Sequence, residues 1–313
     1  MVMCARRRAT LAIKVAVATS LVVIAVFHHT AVPVAQPGPE KTIRFGFTAA
    51  LIGDANPNDV VAATLLWAKG VISQVGFWTS AEASVFQDVN EAMTPPNNGK
   101  TDLLALTTLE YLAAERRLQV QPSMVFQQSN ETMSDSVVLV RSDITSVSQL
   151  AGKRLAINLP AREWDMAGIW LDVLLMEAGL PARQTAFSTV KVVPRRSQAA
   201  MALFFKQVDV AVETRSAFET AVELNPQLGK ELKILARSPP LLPGLICTRN
   251  SMEPDLRRRY IEKATHLHEL PQFRQTFIVM RVTKILEWDP HFLDSARALV
   301  ARRDALKKAA ARR

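Results

Sequence analysis

Residues 136–157 read SVVLVRSDITSVSQLAGKRLAI. The run opens on SVVLV, a continuous apolar stretch of strand length rich in β-branched residues. RSDIT is a polar turn, SVSQLAG is a short helix that Gly152 stops, and KRLAIN is a second strand. The pattern then repeats downstream. NLPAREWDMAGIW (158–170) leads into a helix over 166–178, followed by strand FSTVKVV, helix SQAAMALFFKQ, strand VDVAVE and helix SAFETAVEL. Apolar strands alternating with helices argue for an α/β protein, with a parallel sheet covered by helices on both faces.

Upstream, VPVAQPGPEK (32–41) is a Pro-rich linker and TIRFGF is a first strand. The ANPND turn offers an N-cap for the helix VVAATLLWAKGVISQ. ASVFQDVNEAM is a strand running into a helix start, TDLLALTTLEYLAAER is strand, turn and helix, and MVFQQ is a strand. Downstream, KELKILARSPPLLPGLICT gives two strand-like runs broken by Pro239, Pro240 and Pro243, and the remainder is mostly helical. The return segment is too small for a domain of its own, so it is expected to pack back on the first unit. That assigns 41–141 plus 239–300 to one lobe and 142–238 to the other. The chain would cross near 137–143 and near 235–242. Two crossings make a hinge, with a cleft between the lobes.

The chain has 313 residues and a formal net charge of +9. Residues 1–35 hold Arg6, Arg7, Arg8 and Lys14 without an acid, and residues 301–313 hold six basic residues against Asp304. These two ends carry the whole excess. The body between them is neutral, which argues against a nucleic-acid-binding face. The first end has the form of an export signal, a basic stretch followed by the apolar VAVATSLVVIAVF. That stretch is short for a membrane span of about 20 residues. Residues 1–35 are therefore read as a signal peptide or, uncleaved, as an N-terminal anchor, and the rest of the chain as facing an extracytoplasmic space. The tail 301–313 reads as a basic solvated helix end. Cys4 and Cys247 make no disulfide framework and no thiolate metal site, and Cys247 reads as a buried inert thiol. No serine–histidine–acid order, metal-ligand spacing or phosphate loop appears, so no catalysis and no cofactor are expected.

Three stretches, taken in order, carry a family resemblance. SVVLVRSDITSVSQLAGKRLAI is similar to a lobe crossover, KTDLLALTTLEYL (100–112) to a first-lobe strand ending in a ligand-facing turn, and KQVDVAVETRSAFETAVELNPQLGKELKILARSPPLLPGL (206–245) to a second-lobe strand and return. Together, over residues 42–285, they resemble the phosphate/phosphite/phosphonate substrate-binding proteins of ABC transporters. The resemblance implies the type II periplasmic binding protein fold: two lobes, each a mostly parallel sheet flanked by helices, joined by a two-crossover hinge. It also implies a monomer that captures a small anionic or zwitterionic, phosphonate-like molecule and presents it to an ABC-transporter permease. A second reading keeps the fold but makes it a membrane-tethered sensor feeding a signalling partner, held by residues 11–27. Cleavage near residue 35 separates the two.

Carried over position by position, the resemblance points to Thr107, Thr108 and Tyr111 on the first lobe and to Glu213, Thr214 and Arg215 on the second. Thr107 or Thr108 either caps the following helix or gives a hydroxyl to the ligand. Arg215 either clamps an anion or sits at the surface. Glu213 suits a ligand that also carries an ammonium group, or else it pairs with Arg215 or Arg162. In NLPAREWDMAGIW, where the family has a Ser/Thr-rich turn, Arg162 offers a bidentate grip, Trp164 offers a wall, and Asp165 is placed to N-cap the next helix.

Overall fold

The structure is a computed structural model that describes residues 41–312 apart from 54, 96, 129, 130, 159–164, 194 and 196. The segment 1–35 and two of the candidate ligand-binding residues, Arg162 and Trp164, lie outside the described residues.

In chain order, the first part comprises β1 (Thr42–Thr48), α1 (Ala49–Ile52), α2 (Pro57–Val75), β2 (Ser80–Phe86), α3 (Val89–Met93), β3 (Leu103–Thr107), α4 (Thr108–Ala114) and β4 (Val120–Gln127). The middle part comprises β5 (Ser136–Val140), β6 (Arg154–Asn158), α5 (Met166–Glu177), α6 (Arg183–Ala186), β7 (Thr189–Val193), α7 (Gln198–Phe204), β8 (Val210–Thr214), α8 (Arg215–Leu224), α9 (Pro226–Glu231) and β9 (Lys233–Arg237). The return comprises β10 (Gly244–Arg249), α10 (Pro254–His266), α11 (Arg274–Val279), β11 (Lys284–Glu287) and α12 (Asp294–Ala310). Local signals account for many of these ends. Asn56 caps α2 through the Asn58 amide with Pro57 in the first turn, and Gly152 takes the left-handed φ of 67° that stops the short 3-10 turn over Val147–Leu150.

The strands form two sheets, one in the order β11-β4-β10-β3-β1-β2 and one in the order β7-β6-β8-β5-β9. Both are mixed. β1 is parallel to β2 and β3, and β6 is parallel to β7 and β8. β10 is antiparallel to β3 and β4, β11 to β4, and β5 to β8 and β9. The parallel strands are those of the strand–helix alternation. The antiparallel pairs are all made by the strands that flank the crossings, together with the returning β11.

Each sheet has a core on both faces, which is why interior strands such as β3 and β5 read as nearly unbroken apolar runs. In the first sheet, Ile43, Phe45, Leu103 and Ala105 pack under α2 and α10 with Trp67 and Tyr260, while Leu104, Leu106, Leu245 and Cys247 pack on the opposite face. In the second sheet, Val138, Leu155, Ile157 and Val212 pack under α5, and Leu139, Ala156 and Ala211 pack under α7 and α8.

The hinge differs from the sequence expectation in one respect. β5 lies wholly in the second sheet, paired on both edges, so the first crossing is over 128–135 rather than 137–143. A run such as SVVLV, buried on both faces, has no periodicity to say which sheet it joins. The second crossing runs over 238–243. The two are laced together: Ser134 and Leu241 exchange backbone hydrogen bonds of 2.9 Å, and the Ser238 amide donates to the Ser136 carbonyl at 2.8 Å.

The end of the chain also lies elsewhere than expected. α12 runs through the segments read as first-lobe helix and solvated tail, and it buries Ala296 and Leu299 in the second sheet's core, with Val300 and Leu306 packed alongside. Its small apolar stripe is spaced at helical period among charges, so the charges dominate a linear reading. Arg297 pairs with Glu115 beyond α4 at 2.6 Å, and Arg302 pairs with Glu177 on α5 at 2.7 Å. The helix thus touches elements of both sheets.

Candidate functional site

Each sheet reverses its direction of growth once. From β1 the chain adds β2 on one side and β3 on the other; from β6 it adds β7 on one side and β8 on the other. Sheets of this kind hold ligands beyond the C-terminal ends of the strands at such a reversal. In the first sheet those ends are Thr48 and Thr107, and in the second they are Asn158 and Thr214. Both places adjoin the hinge, because Thr107 pairs with Gly244 just past one crossing and Thr214 pairs with Ser136 just past the other. Gly244 is required there: a Cβ would lie 2.8 Å from the Leu106 carbonyl oxygen and 2.4 Å from the Leu51 side chain.

On the first side, Thr107 is the N-cap of α4 in a capping box with Glu110. Its hydroxyl accepts from the Glu110 amide at 3.2 Å and donates to Glu110 Oε2 at 3.0 Å, so its one proton is engaged. The Thr108 amide is also taken, by the Pro243 carbonyl of the second crossing at 3.1 Å. Thr108 Oγ1 is different. It is buried and has no hydrogen-bond partner among the described residues. Of the two threonines read as cap or donor, the structure makes Thr107 the cap and leaves the buried hydroxyl of Thr108 without a partner among the described residues. Tyr111 packs instead with Phe86, Leu118 and Cys247 in the first sheet's core. Burial, with Cys247 and Glu115 nearby, pushes its phenol up to about 12.

On the second side, Glu213 is almost fully buried. Its Oε2 accepts from the Ala200 amide in the first turn of α7 at 3.2 Å, and its Oε1 has no partner among the described residues. Burial raises its pKa to about 7, against the lowering effect of that single amide. Thr214 N-caps α8, accepting from the Ala217 amide at 3.3 Å. Asn158 Nδ2 donates to the Val193 carbonyl at 2.8 Å and ties the ends of β6 and β7. Asp165 caps α5 through the Ala167 amide at 2.8 Å, as the sequence predicts.

Arg215 is a hinge residue. Its guanidinium donates to Asp135 at 3.2 Å, to Glu219 at 2.6 Å and to Glu131 at 3.3 Å, and its amide donates to the Asp135 carbonyl at 2.9 Å. Asp135, buried at the end of the first crossing, also pairs with Arg237. With three carboxylates on its guanidinium, Arg215 braces the crossing against α8, and Glu213 takes an amide rather than this arginine.

Sequence reasoning missed Thr48, Glu110 and Asp135. Glu110 carried a usable signal, since TTLE ahead of an apolar run has the capping-box spacing. Thr48 and Asp135 carried none, because their partners are remote in the chain. Among the described residues no group of three or more His, Cys, Asp or Glu is placed to hold a metal ion. No described helix is long and apolar enough to cross a membrane. At the two reversal points the side-chain oxygens without a partner among the described residues are Thr108 Oγ1, Glu110 Oε1 and Glu213 Oε1.

Solved structures share this architecture. XAC2383 from Xanthomonas citri, bound to chloride ion, is 18% identical with a TM-score of 0.64, covering 85% of this chain and 99% of its own. A binding protein component of an ABC phosphonate transporter from Pseudomonas aeruginosa is 15% identical with a TM-score of 0.59, covering 86% and 89%. PhnD1 from Prochlorococcus marinus, in complex with methylphosphonate, is 13% identical with a TM-score of 0.57, covering 83% and 97%. At these identities the likeness establishes the fold, that of the type II periplasmic binding proteins. No curated protein matches the chain in sequence. The family described as ABC transporter, phosphonate, periplasmic substrate-binding protein matches residues 55–285, most of the chain. By that match the chain belongs to the periplasmic substrate-binding proteins of phosphonate ABC transporters.

Proposed function

We propose that this protein captures a small anionic or zwitterionic molecule of the phosphonate type in a cleft between its two sheets, without chemical change, and hands it to an ABC-transporter permease. The observation that carries this reading is that both reversal points adjoin one hinge, and each holds a buried polar oxygen without a partner among the described residues, Thr108 Oγ1 and Glu213 Oε1. The Thr108 hydroxyl suits a ligand oxyanion. Glu213 suits an ammonium group when ionised and can donate to a ligand oxygen when protonated. Arg162 and Trp164 stand where the family has its Ser/Thr-rich turn and depart from that pattern, and their own chemistry suits Arg162 to grip the anion and Trp164 to wall the pocket. Residues 1–35 serve as the export signal, and the folded body works as a periplasmic monomer.

A thermal-shift panel on residues 36–313 tests this, with phosphate, phosphite, methylphosphonate, 2-aminoethylphosphonate, alkyl sulfonates and carboxylates. A true ligand at 100 times its Kd adds about 2.7 kcal/mol and raises the midpoint. No shift with any member overturns the reading. Sequencing the N-terminus of the exported protein tests the signal: a start near residue 36 supports it, and a start at Met1 replaces it with an anchor.

A further inference from the structure

Glu110 belongs to none of the assigned ligand contacts, yet it occupies the reversal point of the first sheet. Its side chain is fully buried, and a single oxygen, Oε2, gathers three donors: Thr48 Oγ1 at 2.7 Å, the Thr107 amide at 3.0 Å and Thr107 Oγ1 at 3.0 Å. Only the Thr107 amide bond belongs to the capping box, whose other half is the Glu110 amide donating to Thr107 Oγ1. The Thr48 bond lies outside it. Thr48 ends β1 and sits 62 residues earlier in the chain, and it makes no side-chain cap of its own for α1. β1 and β3 are the neighbouring strands between which the sheet's growth reverses, so the carboxylate spans the mouth of that crevice and ties its two sides together. A helix cap alone can be built at the surface at little cost. Burying a carboxylate costs much more, and here Oε1 is left without a partner among the described residues. The adjacent Thr108 hydroxyl, also buried and unpartnered, hangs on the turn that Glu110 holds.

We infer that Glu110 is a positioning residue for ligand capture. It locks the Thr48 turn to the Thr107–Thr108 turn, and so fixes where the Thr108 hydroxyl stands in the crevice. This rests on the capture reading above for its purpose, but the coupling of the two turns is a property of the ligand-free protein and can be tested apart from it.

The test compares wild type with Thr48→Val, Thr48→Ser, Glu110→Gln and Glu110→Ala in two measurements. The first is amide hydrogen exchange on ligand-free protein. Thr48→Val cuts the link while leaving the capping box intact, so the expected result is faster exchange at both 49–52 and 108–111, with Thr48→Ser restoring protection. The second is titration with methylphosphonate. Thr48→Val is expected to lose about tenfold in affinity, the equivalent of one buried hydrogen bond. Glu110→Gln, which keeps a carbonyl acceptor for the same donors, should bind better than Glu110→Ala. Wild-type exchange at both segments in Thr48→Val overturns the inference and leaves Glu110 as a helix cap only. Coupled loosening with unchanged methylphosphonate affinity also overturns it, because the lock then does nothing for the ligand. If wild type itself fails to bind methylphosphonate, that failure belongs to the capture reading, and the exchange result alone decides whether the two turns are locked.

Discussion

At the β1–β3 crevice, one oxygen of Glu110 collects three donors from two turns; at the β6–β8 crevice, one oxygen of Glu213 collects one donor, the Ala200 amide. Both carboxylates are buried, both keep a second oxygen without a partner among the described residues, and both stand where their sheet reverses. The difference lies in how many hydrogen bonds replace the water each group lost. Three donors make Glu110 a joint between two turns. A single amide leaves burial to dominate at Glu213 and pushes its pKa to about 7. Two crevices of similar build therefore have different capacities. One joins two turns, and the other holds a carboxyl whose pKa burial raises to about 7.

The largest effect that can break this comparison is expected from Glu110→Ala. It strands Thr48 Oγ1, the Thr107 amide and Thr107 Oγ1 at once, and should lower unfolding free energy by about 4 kcal/mol. Urea denaturation measures it, and a loss below about 1 kcal/mol would show that the three bonds are not a joint.

Glu213→Gln comes next and sharpens the other half. The folded-state pKa, about 7, stands above the unfolded value near 4.5. Below pH 4.5 both states are protonated and the group costs nothing. As pH rises toward 7 and beyond, the wild type bears a growing penalty for ionising a buried acid, roughly 3 kcal/mol when complete. The glutamine variant bears none, so the two proteins should have similar urea midpoints at pH 5 and separate by pH 8, with the variant the more stable. Parallel midpoints across that range would mean that Glu213 does not titrate there.

Arg215→Ala should lower the urea midpoint by less than either change above moves it, since it removes a partly screened guanidinium shared by Asp135, Glu131 and Glu219. If Arg215 is a hinge brace, ligand affinity should change less than stability does. An affinity collapse at unchanged stability would return it to the pocket. The smallest stability change belongs to Thr108→Val, which replaces a buried hydroxyl without a partner among the described residues by a methyl of the same shape. Stability should stay within about 0.5 kcal/mol while methylphosphonate affinity, measured by titration calorimetry, falls about tenfold. Equal affinity would remove Thr108 from the site.

Much of the fold was legible in the linear chain. The strand–helix alternation, the caps at Asn56 and Asp165, the stop at Gly152 and the prolines of the second crossing are all written within a turn or two of where they act. The candidate site was legible only in outline. TTLEYL marked the right turn, but the chain could not say that Thr107 would be spent on a cap, that Thr108 would keep its hydroxyl, or that Tyr111 would face the core.

What the sequence determined by itself is therefore local: which segments are strands or helices, where they start and stop, and which family pattern they follow in order. The tertiary structure alone decided which sheet β5 joins, that α12 docks on the second sheet, that Arg215 serves the hinge, and that Glu110 meets Thr48. The reason is physical. Caps, stops and amphipathic spacing arise from hydrogen bonds and side-chain positions a few residues apart, so they leave a mark in the chain. A bond across 62 residues depends on sheet order, and strands buried on both faces carry no periodicity that records their neighbours.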